Sequence, residues 1–467
     1  MRVALIVAFL MAFWGLLPPV AQAQEDLRAK VEMLERELNA LKEMLLRPQM
    51  GTAQGMTTVG SAEVAEKKDN GANNNRQYEL TGGRDFKLSE LYIPEQAEEF
   101  AEKGVSPQFG GIYTKPFLRR MGRNTYLGGY MDASYRATEG SNNKFEVLRF
   151  VPFIYADVSD RVKMAAEMEF EHGGANTKRG DVGDANVLDG EVVLEFATVD
   201  FLLREEINLR AGLILAPLGK YNLVHDAPLQ DLIDRPLVDR FIIPTTLTQA
   251  GMGVYGTFYP TELSKLDYEL YATNGFGNNI TNTSGLRNAR YFRYDRNNNN
   301  DPGIVGRVGF SPFLGLELGG SFFVNKYDRE NYFYITAFDF AFERGPFELV
   351  GEGAYTDIER SKSVRVNQPT LPPSMWGYYV EPRWHFMPEF IRNMGSNFFE
   401  EDSHLTAVAR WDQVDTGFSR YNNRITAGLA FRYTEDTVLK MNYQWNMESG
   451  QDHKDDNAFA FGVATFF

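Results

Sequence analysis

The chain has 467 residues, no cysteine, a formal charge of −15 and a mean hydropathy of −0.36. Without cysteine there are no disulfide scaffolds, thiol catalysts or thiolate metal sites. The acidic balance argues against nucleic acid as a partner, because a phosphate backbone needs a basic face.

The first residues place a basic start at Arg2, an apolar run over 3–17 and the small-x-small site Ala21-Gln22-Ala23, the layout of a cleaved secretory signal over 1–23. Beyond it no stretch reaches the ~18 to 20 apolar residues of a membrane helix. A barrel reconciles export with polar hydropathy, since its strands meet lipid with only every second residue. Aromatics are 13% of the chain, with 35 Phe and 23 Tyr, types that favour strands and membrane interfaces.

Residues 24–47 carry an a/d heptad: Leu27, Val31, Leu34, Leu38, Leu41 and Leu45 are spaced 4, 3, 4, 3, 4. Lys30 with Glu35 and Glu37 with Lys42 make g to e′ pairs of opposite sign, so a short coiled coil is expected; the alternative is one amphipathic helix lying on its own protein. Pro48 ends the helix. Residues 48–122 read as a flexible periplasmic linker, partly ordered from Leu80, and a short strand over 110–118 leaves the total open between 16 and 18.

From about Thr125 the period becomes two. Val162, Met164, Ala166, Met168 and Phe170 alternate with Lys163, Ala165, Glu167, Glu169 and Glu171, as one oily and one wet face require. Sixteen such runs are expected, at 125–136, 145–157, 161–171, 190–202, 207–216, 250–259, 266–274, 303–311, 315–327, 331–343, 346–358, 374–387, 403–415, 421–434, 436–447 and 457–467. Short connections alternate with long polar ones, as in outer-membrane barrels. Residues 388–402 break that pattern, by a misassigned strand or by a small helix in the turn. The expected fold class is therefore all-β: a transmembrane antiparallel β-barrel of about 16 strands over 123–467, preceded by a short helical coiled coil. The last strand ends on Phe467, with Phe459, Phe461, Val463 and Thr465 on the same face, which resembles the C-terminal signature that the barrel assembly machinery is thought to read.

The stretch R-A-G-L-I-L-A-P-L-G-K-Y-N at Arg210 to Asn222, R-P-L-V-D-R at Arg235 to Arg240, I-I-P-T-T at Ile242 to Thr246 and G-E-V-V-L-E-F-A-T-V-D-F at Gly190 to Phe201 resemble the phosphate-selective porin O and P family. The resemblance covers about 65 residues well and marks a broad porin group rather than phosphate transport itself. It implies a sixteen-stranded barrel, usually trimeric, with loops folded inward to constrict the pore.

In a lumen of ~16 strands, constriction decides function. The long loop 217–249 carries Lys220, His225, Asp226, Asp231, Asp234, Arg235, Asp239 and Arg240 among apolar residues that need burial, and is expected to form the eyelet; the alternative is an external loop packed on a trimer partner. Its 242–246 end reads as a structural return into the next strand. Lumen-facing candidates on the wet strand faces are the acids Glu167, Glu169, Glu195, Glu269, Glu348 and Glu352. The corresponding bases are Arg149, Arg210, Arg307, Arg383, Arg410, Arg424, Arg432 and Lys440. Bases concentrate on later strands and acids on earlier ones, either as a transverse field or as wall salt bridges.

The five histidines are scattered and match no H-E-x-x-H or G-x-S-x-G pattern, so no catalytic residue is assigned. The tract 297–301 and the cluster Glu400, Glu401 and Asp402 read as solvated loops, with divalent-ion binding as the alternative; no cofactor and no metal is assigned. Trp376, Trp384, Trp411 and Trp445 sit where girdle aromatics would. The expected function is passive diffusion of small hydrophilic solutes or ions across the outer membrane, with the N-terminal segment in the periplasm. Expected partners are lipid, two further copies in a homotrimer, the assembly machinery through Phe467 and the cell wall through the coiled coil. A solute-specific channel for anions, phosphate or sugar, and a cell-wall tether, are the alternatives.

Overall fold

The computed structural model describes residues 119–120, 125–172, 191–293, 302–394, 398–400, 402–418, 420–448 and 456–467. The expected signal, the coiled coil, nearly all of the linker with its 110–118 strand, the tract 297–301, Glu401 and His453 lie outside the described residues.

A two-residue strand, β1 (Arg119–Arg120), precedes sixteen long ones. These are β2 (Thr125–Thr138), β3 (Lys144–Ser159), β4 (Val162–Glu171), β5 (Glu191–Arg204), β6 (Ile207–Leu215), β7 (Thr248–Thr261), β8 (Ser264–Thr273) and β9 (Gly303–Phe313). They continue as β10 (Leu316–Lys326), β11 (Tyr332–Arg344), β12 (Phe347–Ile358), β13 (Ser374–Phe386), β14 (His404–Asp415), β15 (Tyr421–Thr434), β16 (Thr437–Glu448) and β17 (Ala458–Phe466). Each pairs antiparallel with its neighbours in sequence, and β17 pairs with β2 from Ala458↔Thr138 to Phe466↔Tyr130, so the sheet closes without an edge. β1 meets Tyr126 and Leu127 of β2, where β17 has already ended. All sixteen expected runs are strands, their ends displaced by at most two residues.

Alternation sorts the side chains. On β17, Ala458, Ala460 and Ala464 are buried while Phe461, Val463 and Phe467 are exposed. On β5, Val192, Leu194, Val199 and Phe201 point outward, and Thr198 and Asp200 inward. The ladder between β4 and β5 steps from Glu167↔Phe196 to Met168↔Leu194, so Glu195 is an extra residue and both it and Phe196 are buried.

One end of the barrel carries tight turns, such as Glu205-Glu206 and Gly345-Pro346; the other carries long connections. The exception at 387–403 contains a short helix, Glu389–Met394, which is the second of the two expected explanations. No described helix is long and apolar enough to cross a membrane, which says nothing of strands.

The connection 216–247 runs inside the barrel. Its helix α1 (Leu237–Phe241) touches β12, β13 and β14, and its single turn Ala227–Leu229 touches β2 and β17. Leu218, Leu237, Val238, Ile242, Ile243 and Leu247 from this loop form one apolar cluster with Phe323, Ile335, Tyr379 and Val414 of the wall. Each such side chain contributes about 1.5 to 3 kcal/mol when fully buried. The connection between β8 and β9 lies over it: Phe276 and Leu286 join the cluster, and Leu286 N–H donates to the Phe241 carbonyl at 2.8 Å.

Candidate functional site

The inner loop begins with a tight bend. Gly219 has φ +70°, and a Cβ there would lie 2.1 Å from Glu352 Oε1. Only glycine fits so close to the wall. The approach lets the N–H groups of Lys220 and Tyr221 donate to Glu352 Oε2 at 2.7 and 2.9 Å, while Lys220 Nζ pairs with Glu317. The neck is closed by Asn222, whose Nδ2 donates to the carbonyls of Ala216 and Leu247 at 2.8 and 3.1 Å and whose Oδ1 accepts from Leu247 N–H at 2.8 Å.

Cations of the later strands then hold the loop by its main chain. Lys440 Nζ donates to Ala227 O at 2.5 Å, Arg432 Nη1 to Pro228 O at 2.8 Å, Arg410 Nη1 to Asp234 O at 2.7 Å and Arg424 Nη2 to Arg235 O at 2.6 Å. The same arginines are oriented by acids: Arg410 by Glu381, Arg424 by Asp412 at 3.1 Å. Asp412 also accepts from Leu237 N–H at 2.9 Å, at the start of α1. Loop acids complete the arrangement. Asp231 pairs with Arg432 at 2.8 Å and Arg383 at 3.5 Å, and Asp234 with Arg136 at 2.7 Å. Burial pushes both carboxyls up, but Arg383 and Arg432 around Asp231, and Arg136 and Arg424 around Asp234, outweigh it and hold both below the usual carboxylate range. Asp239 has the opposite balance: burial, then the facing Glu352, push its carboxyl well up.

The remaining eyelet candidates separate by position. His225 Nδ1 donates to Asn222 O at 3.0 Å, and its Nε2 lies 3.3 Å from Glu195 and 3.0 Å from Thr246 Oγ1. Asp226 is fully buried at the start of the Ala227–Leu229 turn. Arg235 turns back on Thr245 O, whereas Arg240 is exposed with its guanidinium 5.3 Å from the Phe241 ring centroid. The adjacent quartet Asp234, Arg235, Asp239 and Arg240 is thus divided between a wall pair, a loop contact, a buried carboxyl and a solvent-facing cation.

On the wall, all fourteen candidate charges stand on the inner face. Arg149 pairs with Asp132 at 3.0 Å, Arg307 with Asp339 at 2.7 Å, and Arg210 with Asp200 at 2.9 Å and Glu269 at 3.3 Å. Arg383 meets Glu381 at 2.6 Å and Glu348 at 3.1 Å. Glu167, Glu169, Glu195 and Glu352 are buried. Solvent reaches charged groups on both sides of the loop: Arg136 (23%), Asp234 (29%) and Arg240 toward the long-loop end, Lys220 (18%), Glu348 (22%) and His385 (29%) toward the tight-turn end.

Sequence reasoning passed over Asn222, Glu381, Asp412 and Arg136. Alternation carries a signal for the wall residues, since Glu381 shares the phase of Arg383 and Asp412 that of Arg410. Asn222 had none, because its partners are main-chain atoms 6 and 25 positions away.

The fold defines a sixteen-stranded barrel with an internal loop. No protein-family model matches the chain. An uncharacterized protein of Aquifex aeolicus (strain VF5) is 21% identical over 401 residues, covering 81% of this chain and 86% of that one. Among solved structures, the anion-selective porin from Comamonas acidovorans has a TM-score of 0.49 at 11% identity, covering 73% of this chain and 99% of that one. OmpF of Salmonella typhi, in complex with daunomycin, has 0.48 at 10%, covering 75% and 100%, and the outer membrane channel DcaP of Acinetobacter baumannii 0.47 at 12%, covering 75% and 99%. These are likenesses of barrel form.

Proposed function

We propose that this protein is an outer-membrane porin: a channel for passive diffusion of small hydrophilic solutes or ions, narrowed by the loop 216–247. The observation that carries this reading is the sorting of the wall, apolar outside and charged inside, around a loop whose charged groups meet solvent from both ends. In this reading the long connections are external, and the tight turns and N-terminal segment are periplasmic. The copies form a homotrimer, Phe467 is the signal for barrel assembly, and a coiled coil over 24–47 reaches toward the cell wall.

General diffusion is favoured over phosphate selectivity. Arg410, Arg424, Arg432 and Lys440, which an anion would need, donate to loop carbonyls instead. The test is single-channel conductance of the full chain in planar bilayers, with reversal potential under a salt gradient. Ohmic, weakly selective current supports a general porin. Strong anion selectivity with block by phosphate would favour the solute-specific alternative, and absence of current from folded protein would refute the channel.

A further inference from the structure

Six of the seven tight-turn connections between the long strands have two residues each; the seventh runs over 387–403. That length is not needed to join β13 to β14, which pair from Trp376↔Asp415 to Phe386↔Leu405 and could be closed by a short hairpin turn. The added chain does not enter the lumen. Phe399 meets Phe431 of β15 with ring centroids 5.8 Å apart, and Phe398 meets Tyr433 at 5.2 Å. Both partners alternate with Ala430 and Arg432, which are buried on the inner face, so they point outward. Phe431 lies three residues before the end of β15 at Thr434, about 10 Å along the strand. The connection therefore passes the end of β14 and lies against the outside of the next strand.

Main-chain and hydroxyl contacts hold it there. Ser403 Oγ accepts from Glu400 N–H at 2.9 Å and donates to the Tyr433 carbonyl at 2.6 Å, and the guanidinium of Arg392, from the helix Glu389–Met394, reaches the Ser403 carbonyl at 3.4 Å. What this arrangement leaves outside is apolar: Phe390 is 66% exposed and Phe398 59%, against 60% for Phe347 and 46% for Trp384 on the neighbouring outer wall. Those two wall rings stack at 6.3 Å, and Trp384 stacks on Phe386, the last residue of β13, at 4.6 Å. The exposed rings thus continue the apolar wall past the strand ends, while Glu389 and Asp402 of the same connection face solvent. Two phenylalanines held outward by a folded segment mark a surface that something covers. Continuity with the lipid-facing wall makes that cover lipid.

We propose that the connection 387–403 is an interfacial anchor, with Phe390 and Phe398 seated at the headgroup–acyl boundary of the leaflet at the tight-turn end and phospholipid as the partner. A segment with one apolar and one charged side settles there, its apolar face about 5 to 10 Å deep. The inference rests on the reading of the chain as an outer-membrane barrel and goes beyond it, because strand alternation places no connection in lipid. The anchor fixes in depth the ends of β13, β14 and β15, and the last two carry the Arg410 and Arg424 that hold the constricting loop.

Single spin labels in the cysteine-free chain test it, on full-length protein in discs of zwitterionic phospholipid, with the heat-resistant folded band on gels confirming each variant. Accessibility to oxygen, which concentrates in lipid, is compared with accessibility to a water-soluble nickel chelate for Phe390→Cys, Phe398→Cys, Asp160→Cys in a two-residue turn and Ala409→Cys on the outer face of β14. The oxygen-to-chelate ratio at 390 and 398 is expected to lie severalfold above that at 160 and below that at 409. A lipid value at 409 with the value of 160 at both 390 and 398 overturns the anchor, keeps the barrel and leaves the patch to a protein partner. Low access of both reagents at 390 and 398 means that the rings pack on the chain itself and also overturns the anchor. Water at 409 as well removes the barrel reading and the anchor together.

Discussion

The two sides of the inner wall hold the same loop in different ways. On β14 to β16, Arg410, Arg424, Arg432 and Lys440 donate to main-chain carbonyls, so much of the loop's path there is held through its backbone. On β5, Glu195 meets the loop through the side chains of His225 and Thr246. The first mode combines main-chain contacts with the side-chain pairs of Asp231 and Asp234. The second depends on the side chains of both partners.

The largest test of that contrast is the double substitution Arg410→Ala with Arg424→Ala. It removes two charge-assisted bonds and leaves Glu381 and Asp412 buried without these cations, at roughly 3 kcal/mol per site. Single-channel conductance should rise severalfold, with flickering as the loop detaches. An unchanged conductance would mean that the apolar cluster alone holds the loop. Next comes Asp231→Asn, which deprives Arg383 and Arg432 of their shared carboxylate. A loss of about 3 kcal/mol is expected, visible as a lower temperature for loss of the heat-resistant folded band on gels. His225→Ala should cost about 1 kcal/mol and change conductance less than twofold; an effect as large as that of the arginine pair would erase the distinction between the two sides.

The smallest effects are in pH. The carboxyls of Asp231 and Asp234 are held below the ordinary range. Their contribution is complete above the unfolded value of about 3.9 and is lost as pH falls through the depressed folded values. In Asp239→Asn, which lacks the buried loop carboxyl at that position, conductance should therefore stay flat from neutral pH down to about 4. Asp239 has the opposite sign: its carboxyl is held well above the ordinary range, so its contribution is complete below about 3.9 and is lost as pH rises through the raised value. Asp239→Asn should remove the loosening of the loop that accompanies rising pH in the wild-type protein, read as conductance against pH in the two proteins.

By itself the sequence determined the barrel. Period-two alternation in runs such as 162–171, the even number of runs and the alternation of short and long connections specified a barrel of about sixteen strands and most of the faces, while the bulge that buries both Glu195 and Phe196 left no mark. These are local consequences of the pleat and of closure, repeated often enough to be unambiguous. The inward path of 216–247 was legible as a need for burial of Leu218, Leu237, Val238 and Ile243, since such a set has no stable place in solvent. Which wall charges hold that loop, and that they do so through carbonyls, was decided only in three dimensions. Arg424 and the Arg235 carbonyl are 189 positions apart, and Lys440 and the Ala227 carbonyl 213. A carbonyl is present at every residue and leaves no mark in a sequence, so only the tertiary structure distinguishes an arginine free to meet a solute from one already occupied by the chain's own backbone.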